Sequence, residues 1–242
     1  MKKLSITLFT IFSIALLQSC NFGIFEDKIS PRGEEEKVYD LSDFDEIKYG
    51  SAFEVQIIAS SEFKVTAQGD SRDLDDLDVR VRDGELTIGY LKSGWFSGNK
   101  RYRMKLVIET PSIKELDLSG ASDTEVLDFG QLDKIEIEVS GASKLRFKVP
   151  IVELDMDMSG ASTSNFYEEI DFAKAEVSGA STLNAVEKDV LEAVLDVSGA
   201  SKVNISVLDK LEVKASGAST VKYRGNPDVK QNTSGASKVV KD

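Results

Sequence analysis

The chain has 242 residues, of which 41% are hydrophobic and 30% charged, with a formal net charge of −12, no histidine and one cysteine. The lack of histidine excludes Ser-His-Asp catalysis and His-ligated zinc sites. The acidic balance argues against nucleic acid as a partner, and a lone cysteine leaves no disulfide within the chain.

The segment MKKLSITLFTIFSIALLQSC, at 1–20, is typical of a lipoprotein signal. Two lysines precede a short apolar run, and the run ends in LQSC, which resembles a bacterial lipobox although Gln18 departs from the usual small or aliphatic residue. We therefore predict a signal peptide at 1–19 and lipidation of Cys20. The alternative is an ordinary signal peptide followed by an unrelated cysteine.

This start places the chain in the bacterial cell envelope, anchored by lipid to the outer membrane and facing either the periplasm or the outside. Because the chain is acidic, we expect the lipid itself, rather than contact with anionic headgroups, to hold it there. Residues 20–37 are polar, without periodicity, and are predicted to form the lipid-anchored tether.

The folded domain is predicted over 38–242, beginning with strands at 38–111. Apolar and polar residues alternate in stretches such as FEVQII, DLDVRV and ELTIGY, which is the pattern of half-buried strands. Turns are expected at QGDS, RDGE and SGN.

From 112 to 242 the chain repeats the motif SGAS seven times, beginning at positions 119, 140, 159, 178, 198, 216 and 234. The residues one and three before the first serine, and five and seven after it, are mostly apolar, whereas those between are mostly polar. A strand therefore lies on each side of every motif. Repeats of this length signal a solenoid, and we predict an all-β fold: a single-stranded parallel β-helix with rungs of about 20 residues.

Because glycine weakens a strand, a glycine in every motif indicates a backbone conformation or a close approach that other residues do not allow. We interpret it as a corner where the coil bends, with positive φ or close stacking on the next rung. The alternative is a nearly straight strand in which the glycine and the second serine face inward. The seven glycines are Gly120, Gly141, Gly160, Gly179, Gly199, Gly217 and Gly235.

The lipoprotein-type start, the strand-rich segment with YGSAFEVQI at 49–57, and the repeated VSGAS units together resemble the putative auto-transporter adhesin, head GIN domain family. The resemblance covers roughly 38–240. It implies a β-helical, secreted or surface-attached domain of bacterial envelope proteins, and it supplies no catalytic residues.

An acidic column stands two residues before the first serine in five successive repeats. If the rungs stack in register, these carboxylates lie about 4.8 Å apart on one outward face. Calcium or another divalent cation bridging adjacent rungs is one interpretation, and a face solvated by water and salt is the other. The five residues are Asp117, Glu138, Asp157, Glu176 and Asp196.

The loop LKSGWFSGNKRYR at 91–103 holds the only tryptophan, Trp95, beside Phe96. These two aromatic side chains are candidates for contact with a ligand or a second subunit. The alternative is that they cap an open end of the core.

The leading functional hypothesis is a non-enzymatic module for adhesion to, or binding of, a glycan or a protein, with a homo-oligomer as a further option. No cofactor is predicted, because no base accompanies the fourteen motif serines and no metal-ligand motif stands out. The runner-up is a carbohydrate-active enzyme, a polysaccharide lyase or hydrolase built on a β-helix.

Overall fold

The computed structural model describes residues 31–91 and 101–242. The predicted signal peptide, Cys20, Trp95 and Phe96 lie outside the described residues. The described part is all-β apart from one short helix, which confirms the predicted fold class. No helix within it is long and apolar enough to span a bilayer.

The N-terminal part comprises seven strands and one short helix. The helix, α1, covers Ser71–Asp75, and the Asp70 side chain caps it by accepting a hydrogen bond from the Arg72 backbone N–H. The strands are β1 (Glu34–Tyr39), β2 (Glu46–Tyr49), β3 (Phe53–Ala59), β4 (Lys64–Asp70), β5 (Leu77–Arg82), β6 (Glu85–Tyr90) and β7 (Met104–Thr110).

The repeats contribute the other twelve strands, and two of them are long enough to run through both sides of the coil. These strands are β8 (Glu115–Leu118), β9 (Asp123–Leu127), β10 (Leu132–Val139), β11 (Lys144–Phe147), β12 (Ile151–Met158), β13 (Thr163–Phe166), β14 (Ile170–Val177), β15 (Thr182–Val197), β16 (Lys202–Ala215), β17 (Thr220–Arg224), β18 (Asp228–Thr233) and β19 (Lys238–Lys241).

The strands form two stacks joined at the SGAS turns. Stack I contains the strands that precede the turns, in the order β6, β2, β8, β10, β12, β14, β15, β16 and β18, all paired in parallel. Stack II contains the strands that follow the turns, in the order β7, β3, β9, β11, β13, β15, β16, β17 and β19, also parallel. One rung therefore consists of a stack I strand, a turn and a stack II strand.

The first rungs do not stack in chain order. The β2–β3 rung lies against the first SGAS rung, and β6 and β7 lie on the far side of β2 and β3. Three antiparallel pairs complete this end: β5 with β6, β4 with β7, and β1 with β4. These strands cover the backbone edge that the parallel coil would otherwise leave open.

The domain begins earlier than the sequence suggested. Glu34–Lys37, which were predicted to belong to the tether, are part of β1 and pair with Ala67–Asp70. All four are exposed, so they lack the alternation by which a half-buried strand is recognised. The QGDS turn is also replaced, by the end of β4 and the start of α1.

The core lies between the two stacks and follows the predicted columns. The residues one and three before the first serine are buried in the first six repeats, as are Leu145, Phe147, Leu183 and Ile205 from the columns five and seven after it. In the seventh repeat the two columns before the first serine become polar, since Gln231 and Thr233 occupy them and are exposed.

Each SGAS motif forms a turn with its glycine on the outside of the coil. The seven glycines have φ between +69° and +79°, a range that favours residues without a Cβ. They also stack closely: a Cβ added at Gly179 would lie 2.4 Å from the Gly160 carbonyl oxygen, and this oxygen accepts a 2.7 Å hydrogen bond from the Ala180 N–H. The chain therefore bends here, and a straight strand is not formed.

The second serine of each motif points inward, except in the last rung, where it is half-buried. Ser162 donates to Ser181 at 3.1 Å, and Ser201 and Ser219 donate to backbone carbonyls of neighbouring rungs. A small hydroxyl fits this inner corner because it fills little space, and from the third motif onward it finds a partner within the stack, whereas the buried hydroxyls of Ser122 and Ser143 have none. These serines are thus part of the wall rather than of an exposed site.

Candidate binding surface

The predicted acidic column is a continuous line on the outer side of stack I. Register pairs join Asp117 to Glu138, Glu138 to Asp157, Asp157 to Glu176, and Glu176 to Asp196. Four of the five are exposed, and Asp117 is half-buried.

Over the described ranges, the column is paired with a cation only at its first residue, Asp117. Lys48 stands above Asp117 in register and forms an ion pair with it, and the hydrogen bond to Asp117 is the main reason that the pKa of Lys48 is raised. Lys214 follows Asp196 in register. Within the part of the chain that the structure describes, no cation lies within 4.0 Å of the four carboxylates from Glu138 to Asp196.

Together with the residues four before each first serine, the column forms what we name the acidic face. In the first five repeats this face carries eight carboxylates and one cation, Lys174, which pairs with Asp155 at 3.0 Å. The pKa of Glu115 is raised, first by partial burial and then by the charges of Glu46, Glu136, Glu138 and Glu85. At Glu115, like charges in neighbouring rungs thus add to the effect of burial, as expected for stacked carboxylates.

A shallow groove of about 310 Å³ follows the acidic face beside the turns. It is lined by Glu138, Asp157, Glu176 and Asp196 together with the first serines of the same motifs. The hydroxyls of two of these serines donate to the preceding rung, Ser140 to Leu118 O at 3.5 Å and Ser178 to Met158 O at 3.1 Å. No lysine or arginine lines this groove.

The structure offers no preformed coordination shell for the predicted cation site. Among the described residues, no group of three or more Asp, Glu, Cys or His side chains is placed to hold a metal ion. One carboxylate per rung, spaced by the strand separation, does not bring the several oxygens that calcium needs to one point. Cation binding at Asp117, Glu138, Asp157, Glu176 and Asp196 stays a prediction without structural support.

Stack II carries a surface of opposite character, which sequence reasoning missed. From β11 to β19, the outward residues four and six after each first serine include five cations and no carboxylate. We name this surface the basic face: Lys144, Arg146, Thr163, Asn165, Thr182, Asn184, Lys202, Asn204, Thr220, Lys222, Lys238 and Val240.

An asparagine ladder runs along the centre of the basic face. The Asn184 amide donates to Asn165 Oδ1 at 2.9 Å, and the Asn204 amide donates to Asn184 Oδ1 at 2.7 Å. The signal was available in the sequence, because the three asparagines recur at the same place after the first serine of successive motifs.

The segments next to the predicted Trp95–Phe96 contact are joined by a buried ionic cluster. Arg101 pairs with Asp73 at 3.1 Å and with Asp76, and its guanidinium lies 4.1 Å from the ring centre of Tyr90. The Asp73 side chain is 1% exposed and also accepts the Tyr102 backbone N–H at 2.8 Å. This cluster ties α1 and β6 to the segment before β7. Contact of Trp95 and Phe96 with a ligand stays a prediction.

Comparison with known proteins gives a consistent family. The model of the family described as putative auto-transporter adhesin, head GIN domain, matches residues 43–227. No curated protein sequence matches the chain.

Several solved structures share the fold. A putative adhesin from Bacteroides fragilis has a TM-score of 0.80 at 16% identity, covering 87% of this chain and 98% of that one. A putative adhesin from Parabacteroides merdae gives 0.72 at 18% identity, covering 87% and 97%. A protein from Parabacteroides distasonis described as a putative lipid binding protein gives 0.71 at 19% identity, covering 88% and 98%.

Proposed function

Because the chain belongs to the head GIN domain family of putative auto-transporter adhesins, we propose that it is a non-enzymatic binding module of the bacterial cell envelope. The observation that carries the proposal is the pair of long sheet faces, each with polar side chains held at one rung spacing. A regular coil of this kind presents an extended, rigid surface, which suits attachment to a polymer or another large partner.

A polar partner fits the surface better than a lipid. Large apolar side chains are exposed at five of the described positions, and only two of these, Leu191 and Leu208, lie on adjacent rungs of one stack: Val38, Leu91, Leu191, Leu208 and Val240. Lipid binding is the name given to the similar Parabacteroides distasonis protein, and at 19% identity that similarity supports the fold alone. We therefore favour a glycan or a protein as the ligand.

No observation favours the runner-up, a carbohydrate-active enzyme. The groove on the acidic face holds carboxylates and serines without the arginine or lysine that would stabilise a developing anion. Two of its serine hydroxyls are occupied by backbone carbonyls. The arrangement is that of a solvated sheet face.

We further propose that lipidation of Cys20 anchors the module to the outer membrane. The test is to express the full chain and a Cys20→Ser variant in a bacterium that processes lipoproteins. We expect the wild type in the membrane fraction and the variant released as a soluble or uncleaved form. A Cys20→Ser protein that is still lipid-modified would disprove the anchor.

The binding role itself is tested with the purified full chain, in mild non-ionic detergent, on arrays of glycans and of envelope or matrix proteins. We expect saturable binding to a restricted set of ligands and no change in the ligands after long incubation. Release of shortened glycan products would contradict the non-enzymatic assignment, and the lack of any saturable ligand would contradict the binding role.

A further inference from the structure

We propose that the basic face binds an acidic polysaccharide. This inference rests on the binding role proposed above and assigns it to a surface and a class of ligand. It depends on three features of stack II: unpaired cations, an amide ladder, and the spacing of the two along the coil.

The first feature is the segregation of charge in an acidic protein. The chain has a formal net charge of −12, yet the basic face carries five cations and no carboxylate. Of these cations, Arg146 is paired with Asp123 at 2.6 Å at the N-terminal end of the face. In the described part of the chain, no carboxylate lies within 4.0 Å of Lys144, Lys202, Lys222 or Lys238.

Unpaired cations on a flat surface attract an anion from solution without first breaking an ion pair. The attraction acts locally, because physiological salt screens exposed charges beyond about 8 Å. The carboxylates of the acidic face, which lie on the other stack, therefore weaken it little. The acidic surface of the whole molecule does not prevent an anionic polymer from lying along stack II.

The second feature is a set of side chains that both donate and accept hydrogen bonds. Each asparagine amide nitrogen carries two hydrogens, and the ladder uses one of them. Thr163, Thr182 and Thr220 stand beside the ladder and are half-buried, with their hydroxyls on the outward side of the strand. Amides and hydroxyls of this kind match the hydroxyls of neutral sugars.

The third feature is the spacing of the cations at the C-terminal end of the face. Lys202, Lys222 and Lys238 lie in three successive rungs, one in each, so one rung, or about 4.8 Å, separates each cation from the next along the coil. Asn204 and Thr220 share these rungs, so neutral donors and acceptors stand among the charges, as they do along an acidic polysaccharide. A shallow depression of about 170 Å³ lies at this end of the face; it is lined by Asn184, Asn204, Lys222 and Arg224 among others, and by Asp242, which pairs with Arg224 at 3.3 Å.

The competing occupant is a second copy of the chain, docked through its acidic face. That face presents an unpaired carboxylate in four successive rungs, from Glu138 to Asp196, whereas the basic face interrupts its lysines with threonine and asparagine. Neutral groups that donate and accept would be left facing carboxylates, which only accept. These neutral groups therefore favour the polysaccharide.

The test measures binding of the full chain, in mild non-ionic detergent, to oligosaccharides of two acidic polysaccharides, hyaluronate and polygalacturonate. Neutral dextran serves as the comparison probe. The variant K202E/K222E reverses two charges of the basic face, and the matched control K174E/K214E makes the same change on stack I. Melting temperatures equal to that of the wild type would show that both variants fold.

We expect the wild type to bind both acidic polysaccharides more tightly than dextran, and less tightly as salt is raised. K202E/K222E should lose about tenfold or more in affinity, and K174E/K214E less than about twofold. A wild type that ignores both acidic polysaccharides at low salt, or a control variant that loses as much as K202E/K222E, overturns the proposal.

Sedimentation of the protein alone separates the second copy from the polysaccharide. If wild type self-associates at low salt, K202E/K222E abolishes this, and hyaluronate has no effect, the basic face joins copies and the proposal is wrong. The general binding role is tested separately. If a ligand found on the arrays binds K202E/K222E as well as it binds the wild type, the protein is a binding module but does not bind that ligand through the basic face.

Discussion

The N-terminal part, residues 31–111, and the seven SGAS repeats build the same two stacks by different means. In the repeats, each strand pairs in parallel with its counterpart in the next repeat, and every rung turns at the same motif. In the N-terminal part, β2 pairs with β8 across all the strands that lie between them in the chain, β6 and β7 stack out of chain order, and antiparallel strands close the end. The shared feature is therefore the corner geometry and the inward columns rather than the repeat length.

The turn between β2 and β3 has the same corner geometry without the glycine of the motif. Ser51 occupies the position that glycine holds in each repeat: its carbonyl accepts the Ala121 N–H at 3.2 Å, as the Gly120 carbonyl accepts the Ala142 N–H at 2.7 Å. Its φ of +121° is positive, like that of the motif glycines. The N-terminal part thus keeps the turn while departing from the motif, and we expect the departure to cost stability.

The two ends of the coil are also closed differently. At the N-terminal end, antiparallel strands close the coil: β5 pairs with β6, β4 with β7, and β1 with β4. In the last described rung, β18 and β19, polar residues occupy three inward positions, where Gln231, Thr233 and Lys241 follow Val213, Ala215 and Tyr223 in register, whereas Val229 and Val239 still pack against the core. Inward polar and charged residues discourage end-to-end pairing of strand edges.

The largest expected effect comes from a side chain at a repeat corner. Gly179→Val would place a β-branched side chain at a φ of +73°, with its Cβ 2.4 Å from a backbone oxygen of Gly160 that cannot move independently of its rung. Backbone strain of this kind costs about 1–3 kcal/mol, and with the clash we expect a loss of at least about 3 kcal/mol in the free energy of unfolding. Urea midpoints of wild type and variant measure it.

Two controls isolate the corner. Gly130→Val adds the same side chain where a Cβ has nothing within 4 Å, so its midpoint should stay near that of the wild type. Ser181→Ala removes one buried hydroxyl bonded to Ser162 at 3.1 Å, for a loss of about 1 kcal/mol. If Gly179→Val were as stable as the wild type, stacked glycines would not be what holds the corner.

The repeats were more predictable from sequence than the N-terminal part because each rung confirms the register of the next. The columns of Leu116, Ile137 and Met156 show which residues face inward, and one motif repeated seven times identifies the corner. The order β6, β2, β8 depends on pairings between strands distant in the chain, and no periodicity records them. The contact of Arg101 with Asp73 is likewise non-local and was not predictable.

The surfaces were predicted unevenly for a similar reason. The acidic column was visible because carboxylates repeat at one position, whereas the basic face mixes lysine with threonine and asparagine and looks merely polar in sequence. Its character appears only when β11 to β19 are aligned in register.

A smaller effect, of opposite sign to that of Gly179→Val, is expected in the N-terminal part. Ser51→Gly should remove the strain of a positive φ, less the roughly 0.5–1 kcal/mol by which glycine increases the freedom of the unfolded chain. We expect a net gain of about 1 kcal/mol in the free energy of unfolding, read from urea midpoints. Ser61→Gly, at an exposed serine without a positive φ, should be neutral or destabilising, and a Ser51→Gly variant that loses stability as Ser61→Gly does would show that Ser51 is unstrained.

The smallest effect concerns Glu115, where the two regions meet, since β8 pairs with β2 on one side and β10 on the other. Burial and then the charges of Glu46, Glu136, Glu138 and Glu85 raise its pKa above the ordinary value of 4.5. A carboxyl with a raised pKa in the folded state stabilises the fold most when protonated, below its unfolded pKa, and this contribution is lost as pH rises through the raised value. Replacing Glu115 with a neutral side chain should therefore increase the free energy of unfolding at neutral pH and leave it unchanged in acid.

We expect Glu115→Gln to have a higher urea midpoint than the wild type at pH 7, with the difference closing as the pH falls below about 4. Glu125→Gln, in the strand that follows the same turn, is the matched control. The pKa of Glu125 is lowered, mainly by its hydrogen bond from Lys148, so this carboxylate contributes stability above its unfolded pKa, and that stability is lost in acid. The two variants should differ from the wild type in opposite directions at pH 7 and converge on it in acid. A Glu115→Gln variant that is less stable than the wild type at pH 7 would show that Glu115, in the first repeat, is not repelled by Glu46 and Glu85 of the N-terminal part.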